Sequence, residues 1–204
     1  MTAYLIDGPT SASLTLALAH GAGAPMDSDW MNMLAGAVAG KGFRIVRFEF
    51  PYMAERRETG KKRPPNPQRI LEETWRAVID DLGAENLVIG GKSMGGRMAS
   101  LVADEAGVRG LVCLGYPFHP PGRPDKLRTG HLADLRTPAL ICQGERDPFG
   151  TRDEVPGYAL SKKIKLHWAP DGDHGLKPRK KSGHTEKENI AAAVDAIADF
   201  VGKL

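Results

Sequence analysis

Short apolar runs alternate with longer amphipathic stretches along the chain, and this alternation predicts an α/β fold: a mostly parallel sheet with helices on both of its faces. Two further observations agree with it. Runs such as Asn86-Leu-Val-Ile-Gly90 and Gly110-Leu-Val-Cys-Leu-Gly115 are apolar throughout, as strands covered on both sides must be. Most of these runs also lead straight into turns rich in glycine or proline. In such sheets ligands collect beyond the carboxyl ends of the strands, so the loops after each strand are where chemistry is expected.

Ser13 to Ala19 forms the first strand and runs into His20-Gly-Ala-Gly-Ala24. A helix over Trp30 to Ala39 follows from Met31, Leu34, Ala35 and Val38 at helical spacing, with Asp27 or Ser28 as its cap and Gly40 or Gly42 as its end. Phe43 to Phe50 alternates as a strand and stops at Pro51. The charged, proline-rich segment 52–67 is expected to be a loop. Asn66 is then a cap before Pro67 at the first position of a helix striped by Ile70, Leu71, Thr74, Trp75, Val78 and Leu82.

The strand at 86–90 enters Gly91-Lys-Ser-Met-Gly-Gly96, followed by a helix from Met94 to Ala106. After the strand at 110–115 comes a proline-rich loop, Tyr116 to Pro124. Pro138 to Cys142 is a strand leading into Gln143-Gly-Glu-Arg-Asp-Pro148, and a weaker helix covers 152–161. Lys163 to Trp168 is the last strand and leads into Pro170-Asp-Gly-Asp-His-Gly175. Thr185 and Glu188 form a capping box for a helix striped by Ile190, Val194, Ile197 and Val201. No repeat and no long linker interrupts the pattern, so residues 1–204 are expected to form one domain.

The composition excludes several functional classes. With 41% hydrophobic and 26% charged residues in 204, the chain is neither disordered nor unusual for a globular protein. No apolar run approaches the ~20 residues that a membrane-spanning helix needs. The segment Met1 to Asp7 has neither a basic head nor a long apolar stretch, so no secretory signal is expected. Cys113 and Cys142 are too few for a disulfide framework or a metal cluster. They are expected as buried thiols in a reducing, cytoplasmic compartment. A net charge of +3 is too mild for a nucleic-acid binder. The basic runs Arg56–Arg63 and Lys177–Lys181 lack interleaved aromatic residues and are expected as solvated loops.

Chemistry concentrates in three of the loops. Gly91-Lys92-Ser93-Met94-Gly95 is a Gly-x-Ser-x-Gly between an apolar strand and a helix, the context that a nucleophilic serine on a sharp turn requires. Serine needs a base to take its proton. His174 directly follows the last strand and is the first choice, with His184 the second. An orienting carboxylate is expected at Asp147, after the strand that ends near Cys142, with Glu145, Asp171 and Asp173 as rivals. The oxyanion would be held by the N–H of Met94 and by that of Ala22 or Gly23 in the first glycine loop. Trp30, Tyr116, Phe118 and Phe149 lie just after strands or at a helix start and are candidates for a substrate pocket.

Taken together, His-Gly-Ala-Gly-Ala, Gly-Lys-Ser-Met-Gly-Gly-Arg, Gly-Glu-Arg-Asp and Gly-Asp-His-Gly resemble the α/β-hydrolases. The likeness is to the small predicted hydrolases related to dienelactone hydrolase, which have relatives among mammalian testis-expressed proteins. It covers residues 13–204. Dienelactone hydrolase itself carries a cysteine nucleophile where this chain has Ser93, so its chemistry does not transfer. The resemblance implies a serine acyl-transfer mechanism on a small-molecule ester or thioester, no cofactor and no metal. Only Tyr116 to Arg136 is available for a cap, which implies an open site. Two rival functions are an acyltransferase and a non-catalytic interaction protein on a hydrolase fold. Oligomeric state is not legible in the sequence.

Overall fold

A computed structural model describes residues 3–204; Met1 and Thr2, the head of the segment judged not to be a secretory signal, lie outside the described residues. Along the chain run β1 (Tyr4–Asp7), β2 (Thr15–Ala19), α1 (Asp29–Ala39), β3 (Arg44–Phe48), α2 (Pro51–Thr59), α3 (Gln68–Leu82) and β4 (Leu87–Lys92). They are followed by α4 (Met94–Ala106), β5 (Gly110–Leu114), β6 (Ala139–Gly144), β7 (Ile164–Ala169) and α5 (Glu186–Val201). The strands form one seven-stranded sheet in the order β1-β3-β2-β4-β5-β6-β7. Only β1 is antiparallel, with Tyr4 opposite Phe48; every other pair is parallel.

Alternate residues of the central strands feed two apolar layers. Leu16, Leu18, Ile45 and Val88 pack under Leu34 and Val38 of α1 and Ile190, Val194 and Ile197 of α5. Ala17, Phe48, Ile89 and Leu111 face the other way, onto Tyr52 of α2, Leu71 and Trp75 of α3, and Met98 and Val102 of α4. The expected α/β class therefore holds, with α/β-hydrolase topology. Among the described residues no cap domain is inserted between β5 and β6; that connection holds only the short 3-10 turn Gly130–Leu132.

The helix caps follow their residues. Ser28 caps α1 by accepting from the N–H of Met31 at 3.5 Å, and Thr185 and Glu188 form the expected reciprocal box at α5. Three local expectations are corrected and one strand is added. Strand β1 was not foreseen; at four residues it is too short for a pattern to show. Residues 51–59 form a helix, not a loop. Pro51 starts it, Tyr52 and Met53 bury its inner face, and Arg57 is neutralised by Glu49 and Asp27 at 2.7 and 2.8 Å. Asn66 does not cap α3, because its Oδ1 accepts from the N–H of Tyr52 at 2.8 Å and Pro67 takes the cap position. The helix expected over 152–161 reduces to a 3-10 turn at Val155–Gly157, broken by Pro156 and Gly157 and by Glu154, which accepts from the N–H and hydroxyl of Thr151.

No helix among the described residues is long and apolar enough to cross a membrane. Cys113 and Cys142 are buried free thiols. Cationic side chains of both basic segments are held in ion pairs: Arg57 with Asp27 and Glu49, Arg63 with Glu55, Lys177 with Glu186, and Arg179 with Asp171.

Trp75 ties three elements together. Its ring meets Phe48 of β3 edge-on at 4.7 Å, and its Nε1–H donates to the Gly95 carbonyl of α4 at 3.3 Å. Trp75→Ala is expected to cost about 3–5 kcal/mol, read as a lower urea midpoint at unchanged slope. Burial also lowers the pKa of His20, His131 and His167. The unfolded chain therefore binds protons below about pH 6.5 that the folded chain refuses, so stability is lost as pH falls through that value. The urea midpoint should drop between about pH 7.5 and about pH 5.5, above the range of the carboxylates, and drop less in His167→Gln. A midpoint that stayed level or rose would contradict this account.

Candidate active site

Strand β4 ends at Lys92, and the chain reverses into α4 through a single residue. Ser93 holds φ 51° and ψ −115°, a region that L-residues occupy only when the surroundings enforce it. Its N–H donates to the Leu114 carbonyl of β5 at 2.9 Å, and its carbonyl accepts from the N–H of Arg97 at 3.0 Å. The turn fits only because α4 lies hard against β2. A Cβ on Gly95 would stand 2.6 Å from the carbonyl oxygens of Ala19 and His20.

Ser93 Oγ lies 2.8 Å from His174 Nε2, and His174 Nδ1 lies 2.8 Å from Asp147 Oδ2. Asp147 is fully buried. Its other contacts are the N–H of Phe149 at 2.9 Å and Nε2 of Gln143 at 3.0 Å. These donors fix the carboxylate and aim it at the imidazole. With a carboxylate at Nδ1, the ring proton resides there, and Nε2 is left to accept from the Ser93 hydroxyl. The geometry thus joins Ser93, His174 and Asp147 in one hydrogen-bonded chain across the carboxyl ends of β4, β6 and β7.

The rival acids shape the loops instead. Asp173 Oδ1 accepts from the N–H groups of Gly175 and Lys177 at 2.7 and 3.0 Å. Asp171 pairs with Arg146 and Arg179, which hold its carboxyl down at about 2. Glu145 accepts from the N–H of Asp171 at 2.8 Å and pairs with Arg152 at 2.5 Å. The alternative base His184 is exposed on the approach to α5.

A cleft of about 350 Å³ opens above Ser93 and His174, walled by Ala22, Gly23, Trp30, Met31, Lys92 and Phe149. The Phe149 ring lies 4.4 Å from that of His174. Trp30 Nε1–H donates to the Gly175 carbonyl at 3.0 Å, fixing the indole against the histidine loop. Tyr116 and Phe118, expected as pocket residues, do not line this cleft; both are 0% exposed. The chain after β5 turns inward there. The N–H of Tyr116 donates to Gln143 Oε1 at 2.7 Å, its hydroxyl lies 3.2 Å from Ser100 Oγ, and the ring of Phe118 packs 5.7 Å from that of Tyr158.

The glycine loop is anchored by residues that the sequence reading did not single out. His20 is buried, and its Nε2 accepts from the N–H of Phe50 at 3.1 Å. Its proton is therefore on Nδ1, which donates to the Gly21 carbonyl at 2.7 Å. The Tyr52 hydroxyl donates to the Ala22 carbonyl at 3.0 Å, and Arg56 to that of Gly23 at 3.2 Å. A Cβ on Gly21 would lie 3.7 Å from Ser93 Cβ, which places this loop directly beside Ser93. The Met94 N–H stands at the electropositive start of α4. Gln143 was also missed; its only signal was its place at the end of β6, four residues before Asp147.

A protein of Rattus norvegicus named “Putative protein-lysine deacylase ABHD14B” is 30% identical over 128 residues, 60% of this chain and 57% of that protein. The chain thus spans little more than half the length of that relative. The structure of dienelactone hydrolase from Anabaena variabilis superposes with a TM-score of 0.75 at 18% identity, covering 98% of this chain and 90% of that one. A serine hydrolase without lid from Xanthomonas campestris gives a TM-score of 0.70 at 18% identity, covering 96% and 88%. At these identities the two structures bear on fold alone. Residues 12–202 match a family described as an alpha/beta hydrolase domain, and this match over nearly the whole chain establishes that the chain belongs to the alpha/beta hydrolase family.

Proposed function

We propose that this protein is a serine hydrolase that cleaves a carboxylic ester or thioester of modest size through an acyl-enzyme on Ser93. The observation that carries the proposal is the unbroken chain from Ser93 Oγ through His174 to Asp147, with 2.8 Å at each link. Ser93 attacks the carbonyl carbon and passes its proton to His174 Nε2. Asp147, dry and doubly supported, stabilises the imidazolium that forms. The Met94 N–H and that of Ala22 or Gly23 receive the charge on the carbonyl oxygen, where one such donor is worth roughly 3–4 kcal/mol. His174 then protonates the departing alcohol or thiol. In the second half it deprotonates a water, which releases the acid and frees Ser93. Trp30 and Phe149 would contact the acyl or leaving group. The mechanism requires no cofactor, and the two buried free thiols support a reducing, cytoplasmic setting.

The name of the rat relative favours a second substrate class, an acylated lysine amide. The same groups would act on it, with an amine as the leaving group and His174 as its proton donor.

A fluorophosphonate probe followed by intact-protein mass spectrometry is expected to give one adduct, on Ser93, lost in Ser93→Ala and His174→Ala. Ester or thioester turnover should fall at least ~10⁴-fold in either variant, and by a comparable factor in Asp147→Asn, which leaves the imidazole without its ionised partner. An adduct that survives His174→Ala would sink this triad. No adduct on folded protein would favour the non-catalytic rival. Products formed on an added alcohol or amine faster than on water would make it an acyltransferase.

A further inference from the structure

Lys92 stands in the variable position just before the nucleophile, and the mechanism above does not use it. Its stem passes under the glycine loop, where a Cβ on Gly21 would lie 3.5 Å from its Cγ. Its ammonium donates to the backbone carbonyl of His174 and sits 5.4 Å from the centre of the Trp30 ring. Gly115 locates it more closely. A Cβ on that residue would lie 2.6 Å from Lys92 Nζ and 3.2 Å from His174 Nδ1, so the two nitrogens are less than about 6 Å apart. The space exists because residue 115 is a glycine with φ 64°.

We propose that Lys92 is a positioning residue that ties down the His174 loop and, through its charge beside the imidazole, keeps His174 free of an extra proton and so ready to act as a base. Among the described residues, the following charged or titratable groups stand around His174. Asp147 comes from the loop after β6, Ser93 and Lys92 from the end of β4, and Asp173 from the histidine's own loop. Phe149 packs its ring beside the imidazole and Trp30 bonds the histidine loop, and neither adds a charge. Asp147 favours the imidazolium, and Lys92 is the cation that opposes it. The balance lets the imidazole accept the serine proton during reaction without taking one from solvent beforehand. Burial lowers the pKa of Lys92 itself to about 8, against the pull of Asp147 and Asp173, so its charge is lost within reach of neutral pH.

The inference rests on His174 being the base of the proposed hydrolase, and the test does not need turnover. The imidazole signal of His174 is followed by NMR against pH in the native protein, Lys92→Met and Lys92→Arg, with assignment by its loss in His174→Gln. The midpoint is expected to rise by about one to two units in Lys92→Met and to stay within a few tenths in Lys92→Arg. The native signal should show a second inflection near pH 8, where Lys92 titrates, and Lys92→Met should lack it. The acid limb of kcat/KM should move with the midpoint. An unmoved midpoint in folded Lys92→Met overturns the proposal. If that variant does not fold, a native titration without the second inflection overturns it. A moved midpoint in a protein that the fluorophosphonate does not label would leave the charge coupling standing and remove the hydrolase reading.

Discussion

The backbone at Ser93 is the constraint around which the carboxyl ends of the strands are organised. A left-handed turn of one residue between β4 and α4 costs of order 1–3 kcal/mol, and packing must enforce it. Enforcement comes from both sides: the hydrogen bond to Leu114 on β5, and α4 pressed onto the end of β2 so closely that Gly95 admits no side chain. The strain is compensated by burial of Met98, Ala99, Val102 and Ala103 along the same helix. Its consequence is geometric. The hydroxyl stands clear of the sheet at the start of a helix, where a developing negative charge is favoured.

The remaining members of the site arrive by the parallel topology. Strands β6 and β7 pair directly, with Gly144 opposite Ala169, so the loops that leave them rise side by side. One brings Asp147 and the other His174. A buried carboxylate is unfavourable unless it is saturated with donors, and here Gln143, the Phe149 amide and the imidazole supply them. Gln143 also receives the Tyr116 amide and donates to the Gly150 carbonyl. One fully buried amide side chain thus couples the acid loop to the segment after β5. Lys92 adds a cation to this group and faces the histidine from β4.

Much of this was legible because the informative residues are constrained by backbone geometry. A serine between glycines after an apolar strand has few other uses, and an aspartate or histidine in the loop after a buried strand is placed by topology before any contact is known. What stayed illegible depends on partners distant in sequence. Residues 51–59 look like a charged loop until Arg57 is seen between Glu49 and Asp27. Asn66 has the residue type and position of a cap, but the nearby amide of Tyr52 takes it. Tyr116 and Phe118 stand after a strand as pocket residues would, yet the chain there bends beneath α4 toward Ser100 and His131. Lys92 occupies a position that the serine motif leaves unspecified, so nothing local marks it.

The inward course of the connection after β5 also decides which residues wall the cleft above Ser93. That segment buries Tyr116, Phe118, Leu132 and Leu135 in the core, and none of its residues lines the cleft. The walls are instead Trp30 and Met31 at the start of α1, the loop at 21–24, and Phe149. Trp30, Phe149 and the loop are each tied to Ser93, His174 or Asp147 or to the loops that carry them. Trp30 is bonded to the histidine loop, Phe149 to Asp147, and Gly21 lies against Ser93. In the proposed hydrolase, recognition and chemistry therefore share the same few loops, and a change that reshapes the cleft also shifts groups that hold Ser93, His174 or Asp147.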